Sequence, residues 1–399
     1  MRAFVWIAVA CAAFIVTVSM GIRQTFGLFL TPITIDLGIG REAFGFAVAL
    51  QQIFWGLFQP ACGMIADRYG TGRVLLAGTL AYMAGLAIMA NATGPLQLDL
   101  GVGVFTGFAM AATAFPVVLG AVGRIVPTES RSMAFGIVSA GGSLGQFIMA
   151  PIGQGFIAAF GWSGALLAMI AIAAVMAPLA FPLTGKAGDS ADGAQQSQSI
   201  GGAVSEAAAH GGYRYLTAGF FVCGFHVAFI AFHLPAYIGD LGLPPSIGAA
   251  SLALVGFFNI IGSYLCGFLG GRYSKKNLLS AVYGLRAVVI AVFLILPKNE
   301  ISVLALASAM GLLWLGTVPL TSGLIAQIFG VKYMATLFSI VFFSHQVGSF
   351  LGAWMGGWLY DLTGSYDMMW WISIALGIVA MGLHLPIIEK PLRPAARQA

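Results

Sequence analysis

Charged side chains are scarce in this sequence. Only 8% of its 399 residues are Asp, Glu, Lys or Arg, while 59% are hydrophobic; a soluble domain carries about 25% charged residues. No water-soluble core hides that much apolar surface, so a globular soluble domain is excluded. Cysteine is scarce too. Cys11, Cys62, Cys223 and Cys266 all fall in apolar runs and show no CxxC spacing. That excludes a disulfide framework and leaves them as small packing residues. The chain has no P-loop, GxSxG or HExxH motif and no paired carboxylates at a plausible site. ATP-driven pumping and the enzyme classes that need such motifs have nothing to carry them, and no enzyme activity, cofactor or metal is expected. A net charge of +5 invites a nucleic-acid partner, but the basic residues lie in loops beside apolar runs, as membrane topology demands. No nucleic acid is expected, and the lipid bilayer is the partner.

What the chain has is apolar length. A spanning helix needs about 20 apolar residues, and twelve such segments can be read. The first six run over 4–34, 42–66, 73–92, 97–122, 132–157 and 162–183. The second six run over 213–239, 246–270, 277–297, 302–329, 333–360 and 367–388. The apolar run at the start is too long for a leader core and reads as the first span. The expected fold is all-α and integral to the membrane, in two pseudo-symmetric six-helix bundles: an N-terminal bundle (1–183), a flexible Gly/Ser/Gln-rich linker (184–212), a C-terminal bundle (213–390) and a tail (391–399). Lys and Arg crowd one side, including Arg68, Arg73, Arg124, Arg272, Lys275 and Lys276, whereas the other side carries only Arg41 and Lys298. The crowded side is expected to be cytoplasmic. That places both termini and the linker on the cytoplasmic side of the cell membrane, in a protein expected to be a monomer.

The two halves repeat. Gly63-Met64-Ile65-Ala66-Asp67-Arg68-Tyr69-Gly70-Thr71-Gly72-Arg73 has a worn copy in Gly267-Phe268-Leu269-Gly270-Gly271-Arg272-Tyr273-Ser274-Lys275-Lys276. Pro32 matches Pro235 and Pro116 matches Pro319 at an offset of 203, and Asp36-Leu37-Gly38 matches Asp240-Leu241-Gly242 at 204. Duplicated halves place a substrate site near mid-membrane between them.

The first loop resembles the signature of the major facilitator superfamily: Gly63, Asp67, Arg68, Gly70 and Arg73 fit it, and Gly72 replaces one basic residue. In that family the acid helps hold the cytoplasmic side shut. By that resemblance Gly63, Asp67, Arg68, Gly70, Arg73 and Arg272 are gating residues, and Gly271 leaves the second half without the acid. Gly21-Ile22-Arg23-Gln24-Thr25-Phe26-Gly27-Leu28-Phe29 and Arg131-Ser132-Met133-Ala134-Phe135-Gly136 are similar to segments of monocarboxylate transporter-like and oxalate/formate antiporter-like members. That similarity implies carriage of a small organic anion. Those members often place a substrate-binding Arg on the eighth span, where this chain has Asn259, Ser263 and Tyr264.

A charge at bilayer depth costs about 2.5–3.5 kcal/mol on insertion scales and needs a reason. Two cations lie inside spans, Arg23 and Arg286, with no Asp or Glu clearly inside one. The planar fork of Arg23 suits a carboxylate. At the 203 offset it corresponds to His226, which is expected opposite it as hydrogen-bond donor or proton carrier. Arg286 belongs to the ninth span, where a structural role is expected. The remaining candidates for the site are Gln24, Asn259, Ser263, Trp314, His345 and Gln346. The expected function is secondary transport of a small organic anion, a monocarboxylate in the first instance, by alternating access with proton symport or exchange. Efflux of an anionic or neutral drug or metabolite is the alternative, and a non-transporting receptor or scaffold is the rival from another class.

Overall fold

The computed structural model describes residues 2–184, 200–330 and 334–392. Lys186, Lys332, Arg393, Arg397 and most of the expected linker fall outside them, as do the side chains of Asp67 and Arg131. The first half runs through α1 (Arg2–Leu37), α2 (Arg41–Tyr69), α3 (Thr71–Ala90), α4 (Pro95–Leu98), a π-helical turn (Asp99–Phe105), α5 (Thr106–Thr113), α6 (Phe115–Ile125), α7 (Thr128–Ala174), α8 (Met176–Leu179) and a 3-10 turn (Phe181–Leu183). The second half runs through α9 (Ile200–Ala209), α10 (Gly211–Asp240), α11 (Pro245–Gly270), α12 (Lys275–Ile295), α13 (Glu300–Leu312), α14 (Thr317–Phe329), α15 (Met334–Thr363) and α16 (Asp367–His384). The short α9 lies in the stretch expected to be linker.

Backbone groups in lipid must be satisfied within the segment, which leaves helices as the form these apolar runs can take. Among the described residues, ten stretches are long and apolar enough to span. One of them, Met133–Leu179, holds two spans, because Gly161 (φ 70°, ψ 176°) breaks the helix. The positive φ makes that break a glycine position. α2 is not among the ten, since Gln51, Gln52, Gln59 and its charged ends dilute its apolar character, yet at 29 residues it is long enough to cross. Twelve spans result, as the sequence predicts.

Two spans are broken. The fourth is interrupted at Ala114, which is extended (φ −80°, ψ 178°) between α5 and α6. The tenth is interrupted between α13 and α14. Pro116 and Pro319 follow the two breaks, and proline cannot donate the N–H that would carry a helix through. The spans of the first half pack together, as do those of the second. α2 against α15, α7 against α11 and α1 against α10 join the two bundles.

The duplication is visible in backbone detail. Gly38 and Gly242 both adopt positive φ at the ends of α1 and α10. Ile39 N–H donates to the Thr34 carbonyl and Leu243 N–H to the Ile238 carbonyl. This is the Schellman closure of a helix end, which favours glycine. Close packing repeats as well. A Cβ on Gly145 would sit 2.0 Å from the Thr17 carbonyl oxygen, and one on Gly348 would sit 1.9 Å from that of Phe221. α7 thus lies directly on α1, and α15 directly on α10.

Candidate functional site

Arg23 is buried midway along α1. Its Nη2 donates to Gln52 Oε1 of α2 at 3.1 Å. Its guanidinium carbon lies 5.3 Å from the ring centroids of Trp55 on α2 and Phe232 on α10. Nε is buried without a partner, and no carboxylate pairs with this cation: the ion pair found among the described residues is Arg41–Asp240. Nearby aromatic rings stabilise a guanidinium partially and do not use its N–H donors. Neighbouring Gln24 is buried with its amide nitrogen unpartnered.

A polar chain runs from Arg23 across both bundles. Gln52 Nε2 donates to Gln51 Oε1 (3.1 Å), and Gln51 Nε2 donates to Thr106 Oγ1 (2.7 Å). Thr106 begins α5, just after the π-helical turn, and its hydroxyl donates to the Val102 carbonyl. In the other direction, Gln346 Nε2 of α15 donates to the backbone carbonyl of Gln52 (3.1 Å). Gln346 Oε1 in turn pairs with His345 Nδ1 (3.1 Å). His345 is packed against the Phe220 and Phe342 rings. The structure therefore brings Arg23, Gln346 and His345 together through Gln52.

It does not bring His226 to Arg23. His226 Nε2 bonds to the Ser373 carbonyl of α16 at 2.8 Å, and Nδ1 has no partner. The register explains this. At mid-membrane the equivalent contacts are Ser19 with Thr113 (2.7 Å) and Cys223 with Thr317 (3.2 Å), an offset of 204 on both helices. In that register Arg23 corresponds to Val227, and one residue along a helix turns a side chain by about 100°. His233 is a satisfied core residue, bonded to Tyr366 Oη (3.1 Å) and the Ala353 carbonyl (2.7 Å).

A second bridge between bundles lies at Asn259. Its Nδ2 donates to Ser143 Oγ of α7 (3.1 Å), and its Oδ1 accepts from Ser263 Oγ and from Leu315 N–H in the break of the tenth span, both at 3.1 Å. Trp314 in the same break is buried. Arg286, fully buried on α12, donates from Nε (3.0 Å) and Nη2 (2.7 Å) to the Leu313 carbonyl, and from Nη2 to the Trp314 carbonyl. A cation at the end of α13 answers the free carbonyls and the negative pole of that helix. Arg286 is thus fully buried and held by backbone carbonyls of the broken tenth span.

Of the loop residues, Gly70 (φ 100°) turns the chain between α2 and α3 in a conformation that favours glycine. Gly63 has no atom within 4 Å of where a Cβ would stand. Arg68 and Arg73 are exposed, as is Arg272; Arg272 lies over the Phe268 ring. The Asp67 side chain is outside the described residues.

The structure also shows a cluster that the sequence left without a role, at the ends opposite the termini. Arg41 of α2 pairs bidentately with Asp240 of α10, at 2.7 and 2.6 Å, and lies 3.7 Å from the Tyr360 ring centroid. Asp361 of α15 accepts from the backbone N–H groups of Arg41 (3.0 Å) and Glu42 (2.7 Å), capping the start of α2. Trp354 donates to Glu42 Oε1 (3.0 Å). The signal in the sequence was Arg41 itself, an isolated cation on the poorly charged side. For the mid-membrane chain it was the Gln51-Gln52 pair inside an apolar helix.

Residues 9–317 match the family model of the Major Facilitator Superfamily. Monocarboxylate transporter 13 of Rattus norvegicus is 24% identical over 397 residues, covering 96% of this chain and 88% of the relative. The oxalate:formate antiporter of Oxalobacter formigenes is 22% identical over 413 residues, covering 98% and 93%. In fold the chain is similar to the crystal structure of a D-xylose-proton symporter, with a TM-score of 0.75, 12% identity and coverage of 98% and 100%.

Proposed function

The chain belongs to the Major Facilitator Superfamily, and we propose that within it this protein is a secondary carrier of small organic anions, with a monocarboxylate as the cargo. The observation that carries the reading is Arg23: a buried guanidinium at mid-membrane, braced by rings and one neutral amide, with no carboxylate to balance it. An embedded charge in that state is costly without a partner, and a substrate carboxylate supplies one with matching fork geometry. Relatives named for monocarboxylates and for oxalate and formate support the same class of cargo.

Movement follows from two gates. The side bearing the termini is cytoplasmic in this reading. Arg41, Asp240 and Asp361 form the outer gate, closed here, and the Gly63–Arg73 loop with Asp67 forms the inner one. A closed outer end is the arrangement of a carrier facing the cytoplasm. His345, bonded to the same Gln346 that reaches the Gln52 backbone carbonyl, is the imidazole placed to take up a coupling proton beside the site. The test is transport by purified protein in proteoliposomes against labelled formate, acetate, lactate, pyruvate and oxalate. Arg23→Gln is expected to abolish uptake, and uptake at the wild-type rate overturns the site.

A further inference from the structure

Gln52 is one of two adjacent amides inside an apolar helix, and the proposed function gives it no role of its own. Its amide oxygen holds the buried Arg23 guanidinium (3.1 Å), its amide nitrogen is fixed by Gln51, and its backbone carbonyl takes the bond from Gln346 that crosses between bundles. Among the described residues Gln52 is the side chain found hydrogen-bonded to the Arg23 guanidinium. We infer that Gln52 is the stand-in acceptor for the substrate carboxylate: it satisfies Arg23 in the empty carrier and is displaced when the anion binds.

The chemistry favours such an exchange in both directions. A primary amide has the outline of a carboxylate but offers one neutral oxygen. A carboxylate offers two charged ones, and charge-assisted bonds to guanidinium are about twice as strong. The anion therefore wins when present. When it leaves, an unpartnered buried cation is a heavy penalty, and Gln52 removes part of it. Its bond to Gln51, itself held by Thr106 Oγ1, keeps the amide oxygen toward Arg23 rather than letting the amide flip. A carrier whose binding cation is satisfied when empty can reorient empty, which net transport requires and one-for-one exchange does not. Gln52 is thus a positioning residue that decides between net flux and exchange. The inference rests on the reading of Arg23 as the anion ligand.

The test compares net uptake into empty proteoliposomes with counterflow into proteoliposomes preloaded with unlabelled anion, using whichever labelled acid of the panel the wild type carries. Gln52→Leu is expected to cut net uptake about tenfold, the effect of leaving a buried charged donor unpaired, while counterflow stays within about threefold of wild type. Gln52→Asn is expected to restore part of the net flux. Gln52→Glu, which supplies a permanent carboxylate, is expected to raise the melting temperature in detergent and abolish both fluxes. That rise is expected to vanish in the Arg23→Gln background, so the pairing is tested even if Gln52→Leu folds poorly. Equal loss of net uptake and counterflow in Gln52→Leu, no loss of either, or a melting rise that persists without Arg23 overturns the inference. Transport surviving Arg23→Gln, or no acid carried by the wild type, instead overturns the functional reading, and the inference falls with it.

Discussion

At the scale of single residues, the repeated halves solve one packing problem with different chemistry. In the first half the Tyr82 hydroxyl, on α3, donates to the Ser19 carbonyl of α1 at 2.9 Å, beside the Ser19–Thr113 contact. The residue 204 positions later is Arg286. It sits beside the equivalent Cys223–Thr317 contact but donates to the open carbonyls of Leu313 and Trp314. Tyrosine has one donor to give; the second-half break exposes more acceptors and takes the fork of an arginine. Arg286→Lys keeps the charge but loses the fork, so it is expected to cost about 2 kcal/mol of stability. A fall in melting temperature in detergent, with anion affinity unchanged, is the measurement. A selective loss of affinity at normal stability would place Arg286 in the substrate site instead.

At the scale of elements, the helices were legible because the bilayer leaves an apolar run one option. Predicted and observed spans agree within a few residues from α1 to α16. Rotation about each helix axis was not legible. His226 shows why: proline and aspartate matches fix the repeat to within one residue, and that residue decides between facing α1 and facing α16, where it bonds to Ser373. Nor could a sequence read one half at a time show that Gln346 reaches the Gln52 carbonyl, since that bond depends on how the bundles meet. The breaks after Thr113 and Leu312 were foreshadowed by Pro116 and Pro319, but not the cation that caps the second. Helix approach gives a prediction here. A Cβ on Gly348 would stand 1.9 Å from the Phe221 carbonyl oxygen, so α15 must move off α10 to admit any side chain. Gly348→Leu is expected to destabilise the C-terminal bundle by about 3 kcal/mol or more, through overpacking against backbone that cannot yield. Loss of monodisperse protein after detergent extraction checks it, with the exposed-face substitution Ile378→Ala, at a position 53% exposed, as the control that should not change.

At the scale of the whole molecule, the bundles are fastened from the ends opposite the termini, the outer ends in the proposed orientation, to mid-membrane. The fastening begins with Arg41–Asp240 and Asp361 and ends with Gln346–Gln52 and Asn259–Ser143. In the proposed alternating-access cycle these bonds part together, and their summed strength would set the bias between the two faces of the carrier. The outer pair is the one that can be weakened without touching the site. Arg41 and Asp240 are 12% and 31% exposed in their side chains, so water screens them and a contribution of about 1 kcal/mol is expected, equivalent to about a fivefold change in the ratio of the two states. Asp240→Asn removes the charge and keeps the size. Spin labels at Asn91→Cys and Ser246→Cys, on exposed outer positions of the two bundles, are expected to show a longer distance population in Asp240→Asn than in the parent. The exchange Arg41→Asp with Asp240→Arg is expected to return part of it, because the attraction is restored with its signs reversed, although the Arg41 stacking on Tyr360 is not. Unchanged distances in Asp240→Asn would mean that Asp361 and the Trp354–Glu42 bond hold the outer end without it. A lengthening that the charge exchange fails to reverse would assign the closure to the Arg41 ring contacts rather than to the ion pair.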